Sequence, residues 1–324
     1  MASRRILVTG GARFIGSHTA DALLARGDRV TVLDNFNDYY DPSRKRKNIE
    51  EVRRNQPAHA ELEVVEGDLR DRELVSQLVG KGFDAIVHLA AMAGVRASVE
   101  NPWLYYDVNL TGTLNLLEAA RVSGKPNFVF AGTSSAYGTT QIVPFIETDP
   151  SDRPLAPYPA SKRAAEMLGY SYHHLHGLDF TALRFFTVYG PRGRPDMMAY
   201  KVLDSVRLGQ PIPLYNGGQM HRDWTFVSDI VAGVVGAADR RLGFEVINLG
   251  RGEPILLADF VASIESLAGR KANLVPAPMM DADVAYTFAD IDKARRLLGY
   301  EPKVGVGDGV RRFFEWYVEN VGRV

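Results

Sequence analysis

Through the first half of the chain, short runs that are apolar at almost every position alternate with longer stretches whose apolar residues recur every three or four positions. The continuous runs cover residues 6–9, 29–34, 62–67, 85–90 and 127–132, and at this length they predict parallel strands buried on both faces. The periodic stretches cover 14–26, 43–55, 71–80 and 109–123 and predict amphipathic helices. The last of them runs into Gly124, a residue suited to the left-handed position just past a helix. A further helix is expected over 159–177, with strands at 180–186 and 245–250. Strand and helix in alternation predict an α/β fold, a doubly wound parallel sheet of the Rossmann type with right-handed crossovers. The rhythm breaks at 190–213, rich in Pro, Gly and Arg, and at 275–288. These segments are expected in a smaller domain interleaved in the C-terminal half. The division is 1–186 with 227–250 for the sheet domain, and 187–226 with 251–324 for the other. No internal repeat or low-complexity segment interrupts the pattern.

Composition narrows the picture modestly. With 324 residues, 46% of them hydrophobic and 24% charged, the chain suits one large or two intimate domains with a substantial core. A formal net charge of −1 offers no basic excess toward nucleic acid or an anionic membrane. There is no cysteine, which removes disulfides, thiol nucleophiles and thiolate zinc sites. His and Asp residues show no metal-ligand spacing. No secretory leader is recognisable before the first strand, and no apolar run nears the ~20 residues of a membrane span. A cytoplasmic protein is expected. The tripeptide "NLT" at Asn109 is a chance match to a glycosylation pattern. The basic run "SRKRKN", 43–48, is either a solvated helix face or a contact to phosphate or a partner.

The junction of the first strand and helix reads "VTGGARFIGSH". A strand, glycines and a helix start bring unpaired N–H groups and a positive dipole end to one point, which binds phosphate. Gly10 allows the tight turn and Gly16 allows close helix–sheet packing. Arg13 stands where the middle glycine is expected. It keeps its N–H and adds a guanidinium, which either lies over cofactor phosphate or points to solvent. Asp34, at the end of the second strand, is placed to accept ribose hydroxyls and to favour NAD over NADP. Phe14 and Ile15 in the turn, Asn35 and Asn37 after Asp34, and Asp68 with Leu69 at the end of the third strand complete the expected cofactor set. So do Leu89, Ala90 and Ala91 at the fourth. Asp68 could meet an adenine amino group. His88 is expected to be structural.

Tyr158 and Lys162 are spaced to share one helix face. Thr133, Ser134 and Ser135 end the fifth strand at the same sheet edge. A Tyr is a poor base near neutrality, and bringing its pKa down by ~3 costs ~4 kcal/mol. A neighbouring ammonium and an oxidised nicotinamide can supply that. Asn109 either supports the Tyr158 helix or the cofactor through its amide, or caps a helix.

At this point the chain resembles the extended short-chain dehydrogenases/reductases, and within them the nucleotide-sugar 4-epimerases. The motifs "VTGGARFIGSH", "LDNFNDYYD", "GDLRD", "HLAAMAGVRAS", "VNLTGTLNLLE", "TSSAYG", "YPASKRAAE", "RFFTVYGPRGRPDM", "HRDWTFVSDI" and "FADI" occur in order over essentially the whole chain. "NDYYD", "GVRAS" and "FFTVYGPRGRPDM" are most similar to UDP-glucuronate 4-epimerases. Two departures are Arg13 for glycine, and Ala282 where glycine usually precedes the Asp-Val pair at Asp283.

The resemblance implies the following roles. Tyr158 takes the proton of the sugar O4 hydroxyl, Lys162 binds the nicotinamide ribose, and Thr133 hydrogen-bonds O4, with NAD doing the redox step on the way to a 4-keto sugar. Beside Thr133, related dehydratases carry an Asp-Glu pair and decarboxylases usually a Glu. Ser134 and Ser135 stand here instead, which argues for epimerisation. Ser134, Ser135, Thr187 and Arg194 could hold a uronate carboxylate. Arg222, Arg192 and Arg96 are candidates for the UDP diphosphate, or else surface charges. Pro213, Leu214 and Tyr215 could flank uracil, and Asp283 could contact the nucleotide ribose. A homodimer through a four-helix bundle is expected, with Leu114, Leu117, Met167 and Leu168 on its helices. The alternatives are a UDP-glucose or UDP-N-acetylhexosamine 4-epimerase, a UDP-glucuronate decarboxylase, and a non-catalytic NAD-sensing protein.

Overall fold

A computed structural model describes residues 3–279 and 283–324; Ala282 lies outside them. The first strand, β1 (Arg5–Thr9), leads into α1 (Phe14–Ala25), β2 (Arg29–Asp34), α2 (Pro42–Asn55), β3 (Glu61–Glu66), α3 (Arg72–Val79) and β4 (Ala85–His88). Two short helices, α4 (Val95–Glu100) and α5 (Pro102–Tyr106), precede a π-helical turn at Asp107–Thr111 and then α6 (Gly112–Val122). β5 (Asn127–Thr133), α7 (Pro157–His176) and β6 (Phe180–Phe185) follow. With β10 (Phe244–Leu249), these strands form one seven-stranded parallel sheet in the order β10-β6-β5-β4-β1-β2-β3. The winding reverses between β1 and β4, and ligands of open α/β sheets bind outside the strand ends at that point.

Side-chain alternation explains why both faces are covered. Ile6 and Val8 of β1 pack into the core shared with α1, whereas Leu7 packs with Leu78, Leu116 and Leu117 of the opposite helices. In β5, Val129 and Ala131 join the first core and Phe128 and Phe130 the second. Period-two strands that are apolar at every position must be covered twice.

The first core continues without a break into the remaining elements: β7 (Thr187–Tyr189), α8 (Met198–Leu208), β8 (Ile212–Tyr215), β9 (His221–Phe226), α9 (Val227–Ala238), β11 (Pro254–Leu256) and α10 (Leu257–Ala268). β12 (Leu274–Ala277), β13 (Tyr286–Thr287), α11 (Asp292–Leu298) and α12 (Val306–Asn320) complete the order. β9 is the hub of a small second sheet, parallel to β7 and β13 and antiparallel to β11. α9 packs beside α1 on the large sheet.

Three local readings change. β4 stops at His88 rather than residue 90, because Leu89 and Ala90 turn their N–H groups to Thr9, at 3.1 and 3.2 Å. The helix expected from residue 109 begins earlier, with Pro102 in the first turn and Asn101 as cap; the π turn shifts the apolar period and hides the join. The Pro/Gly-rich stretch 190–213 contains α8, closed by Gly209 at φ +72°.

Candidate active site

The turn after β1 is a cradle of backbone. Gly10 has φ +69°, and a Cβ there would meet Ala90 N at 2.7 Å. A Cβ on Gly16 would lie 2.2 Å from Gly10 O, so α1 can approach the strand only without one. Ser17 N–H makes the first intrahelical bond, to Arg13 O at 2.9 Å. The N–H groups of Phe14, Ile15 and Gly16 therefore remain at the helix start, with no acidic residue in the first turn. Asp34 clamps the turn from β2, accepting from Ala12 N at 3.1 Å and Phe36 N at 3.0 Å.

A pocket beyond Asp34 is lined by Gly10, Arg13, Asn35, Asn37, Asp68, Leu69, Ala90 and Ala91. Asn35 Nδ2 donates to Asp68 at 2.9 Å, and hydrogen bonds from Arg70 pull the Asp68 carboxyl down to about 2. The basic run above it divides. Lys45 is fully buried with its ammonium on Asn37 Oδ1 at 2.7 Å, while Arg46 lies over the Phe36 ring.

This pocket shares Gly10, Arg13 and Ala91 with a cavity of about 330 Å³. Gly10, Arg13, Phe14, Ile15, Gly16, Leu89 and Ala91 form one wall. Thr133, Ser134, Ser135, Tyr158, Lys162, Thr187 and Arg194 form the other. Among the described residues its lining holds three cations and no carboxylate. α7 presents Tyr158 and Lys162 one turn apart, entered through Pro157 in its first turn. Burial pushes the Tyr158 phenol above its ordinary 10, opposed by a hydrogen bond with Thr133 and by the charges of Arg194 and Arg13. Burial lowers Lys162 to about 7, with Glu166 one turn on acting the other way. Lys162 Nζ has no hydrogen-bond partner and lies 4.0 Å from the Phe130 ring centroid.

Asn109 stands behind the cavity, in the π turn. Its amide donates to Met92 O at 2.9 Å and Ser161 Oγ at 3.0 Å, and accepts from Met92 N at 2.8 Å. It ties the segment after β4 to α7 and caps no helix. His88 bridges Thr9 and Thr113, at 2.7 and 3.0 Å, and burial holds it well below its ordinary pKa.

Beyond Thr187 the cavity continues past Ser134, Ser135, Arg222 and Asp283 to Arg96, Pro213 and Tyr215. Arg96 donates to Asp283 at 2.8 Å and stacks 3.7 Å over the Tyr215 ring. Burial lowers the Arg222 guanidinium, with Asp283 opposing.

Two expected ligand residues lie elsewhere. Arg192 is buried and pairs with Asp21 of α1, at 2.7 Å, and with Glu51 of α2; its φ is +60°. Leu214 packs on the core while its strand neighbours Pro213 and Tyr215 line the cleft, as period-two alternation requires. Sequence reasoning missed Tyr39 and Tyr105. Tyr39 reaches Asp196 at 3.3 Å, and Tyr105 sets its ring edge-on to Tyr158 at 6.2 Å. "NDYYD" was the available signal for Tyr39; Tyr105 had none, being an aromatic in an unrecognised helix.

The residues present fit a dinucleotide. The helix start offers free N–H groups, Gly10 and Gly16 exclude side chains from the cradle, and Arg13 Nε and Nη2 and Lys162 Nζ are buried without partners. Such donors are stabilised by ligand phosphate and hydroxyl oxygens.

Comparison with known proteins agrees. Residues 6–250 match the model of the NAD dependent epimerase/dehydratase family. The chain is 41% identical over 317 residues to a UDP-glucuronate 4-epimerase of Thermodesulfobacterium geofontis (strain OPF15), covering 97% of this chain and 96% of the relative. It superposes with TM-score 0.89 at 31% identity on the UDP-glucuronic acid 4-epimerase from Bacillus cereus in complex with UDP-glucuronic acid and NAD, over 97% of this chain and 99% of that one. The dTDP-glucose 4,6-dehydratase from Streptomyces venezuelae, with NAD and TYD bound, also gives 0.89, at 30% identity over 98% of this chain and 97% of the other.

Proposed function

The chain belongs to the NAD dependent epimerase/dehydratase family, and on that premise we propose that it is a 4-epimerase interconverting UDP-glucuronate and UDP-galacturonate. Fold does not choose between epimerase and dehydratase, since one of each superposes equally well. The observation that carries the choice is the cavity's charge. Arg13, Lys162 and Arg194 line it together with the hydroxyls of Thr133, Ser134, Ser135, Tyr158 and Thr187, and no carboxylate does among the described residues. A dehydratase needs acid–base groups for the C5 proton and the departing O6. A uronate needs donors around its carboxylate instead.

In this reading Tyr158, as phenolate, takes the O4 proton, and the Thr133 hydroxyl bonds the same oxygen and steers the transfer. Lys162 holds the nicotinamide ribose, and hydrogen bonds from its hydroxyls offset the burial that lowers the ammonium. A charged Lys162 in turn favours the Tyr158 phenolate. Bound NAD supplies the acceptor, and then the donor, of the C4 hydrogen with its electron pair. The sugar passes through a 4-keto state and presents its other face, after which Tyr158 returns the proton. A 4-keto uronate is a β-keto acid and loses CO₂ readily. Ser134, Ser135, Thr187 and Arg194 restrain the carboxylate against that loss. Arg222 and Arg96 meet the diphosphate, Pro213 and Tyr215 flank the base, and Asp283 contacts its ribose. Asp34 accepts the adenosine ribose hydroxyls.

A second copy of the chain is the proposed partner. Val99, Trp103, Leu114 and Met167 are 59%, 84%, 37% and 59% exposed on α4 to α7, and large apolar side chains left exposed together favour association. Of the other two residues expected on the bundle helices, Leu117 is buried in the core and Leu168 packs against it. Sedimentation velocity distinguishes dimer from monomer. Incubation with UDP-glucuronate and with UDP-glucose, each followed by NMR, tests the activity. C4 inversion of the uronate supports the reading, and inversion of UDP-glucose alone replaces it with the neutral-sugar alternative.

A further inference from the structure

Arg13 occupies the place of a glycine whose usual merit is smallness, and its surroundings are built for a ligand. One edge of the guanidinium is fixed, Nη1 donating to Ala91 O. The group lies 5.9 Å from the Tyr39 ring centroid and 5.8 Å from that of Tyr40, within reach of cation–π attraction. The other edge, Nε and Nη2, is buried with no partner. Asp34, which lines the same pocket, accepts from the backbone N–H groups of Ala12 and Phe36. Arg13 also lines both the main cavity and the pocket beyond Asp34, so it stands where the two meet.

A guanidinium edge withdrawn from water needs an acceptor, and two adjacent N–H groups match two oxygens of a phosphate. We propose that Arg13 is a diphosphate clamp, replacing the glycine expected in the turn with a charged grip on the cofactor's phosphates. The proposal rests on reading the cleft as a dinucleotide site. The clamp also supports Tyr39, whose hydroxyl reaches Asp196 at 3.3 Å; Asp196 in turn binds Arg194 at 3.0 and 3.1 Å. Arg13 thereby links cofactor retention to the loop carrying Arg194.

The test compares wild type with Arg13→Gly, which restores the family residue, and with Arg13→Gln, which keeps a donor for Ala91 O but loses the charge. NAD carried through purification is quantified first. Dissociation constants are then measured on nucleotide-stripped protein for NAD and ADP by calorimetry, and for adenosine by ligand-observed NMR. Both variants should bind NAD and ADP about 10- to 100-fold more weakly, with adenosine unchanged. Wild-type affinity for NAD and ADP in the variants overturns the clamp. So does an equal loss for adenosine, which would mean that the turn had changed shape. A wild type that binds neither NAD nor ADP removes the dinucleotide reading itself.

Discussion

Lys162 makes function costly to stability, and Lys162→Met measures the cost. The ammonium is 1% exposed, has no hydrogen-bond partner, and is lowered by burial from 10.5 to about 7. The unfolded chain binds the proton up to pH 10.5, while the nucleotide-free folded protein releases it near 7. Between those values the unfolded state holds more protons, so stability rises with pH. Each pH unit is worth about 1.4 kcal/mol, which makes the penalty about 4–5 kcal/mol at pH 7, about 2 at pH 9, and below about 0.5 at 10.5. Methionine has similar length and no charge. The variant should therefore exceed wild type by that margin at neutrality, while losing turnover. Urea unfolding of both proteins, stripped of nucleotide, from pH 6.5 to 9.5 reads the difference directly. A variant no more stable at pH 7, or a margin that does not shrink as pH rises, refutes the reasoning.

Tyr158→Phe should lower kcat by about 10²- to 10⁴-fold while leaving NAD affinity unchanged, as stopped-assay and calorimetric measurements on one preparation would show. Gly16→Ala places a methyl 2.2 Å from Gly10 O; about 1–3 kcal/mol of stability and most NAD affinity should go together in a thermal melt with and without cofactor. Arg192→Met breaks the pairs to Asp21 and Glu51 and should cost about 3 kcal/mol, yet leave UDP affinity intact because Arg192 lies outside the cleft. Thr187→Ala and Arg194→His should release more UDP-pentose by-product than wild type during turnover of UDP-glucuronate, measured by chromatography; an unchanged ratio removes their role in restraining the carboxylate.

Much of the sheet was readable because its strands obey a simple rule. Apolar runs such as Ile6–Val8 and Phe128–Ala131 face two cores at once. Tyr158 and Lys162 were readable because helix periodicity puts them on one face. What escaped depends on geometry that periodicity does not encode. The π turn holding Asn109 offsets the 3.6-residue pattern, so α5 merged into unassigned chain. Arg192 and Arg194 are two residues apart in one motif, yet Arg192, with a left-handed φ, pairs with α1 while Arg194 lines the cavity. Lys45 looked like a member of a solvated run, yet it is buried against Asn37 by the fold of the segment before α2.

The central claim is that Tyr158, Thr133 and Lys162 serve the O4 proton while bound NAD would take up and return the same hydrogen at C4. UDP-glucuronate carrying deuterium at C4 tests it most directly, with product followed by NMR and mass spectrometry in the presence of excess unlabelled NADH. The account predicts UDP-galacturonate that keeps its deuterium at C4. Recovery of the uronate without inversion, or of inverted product that has exchanged its label for protium, would contradict it.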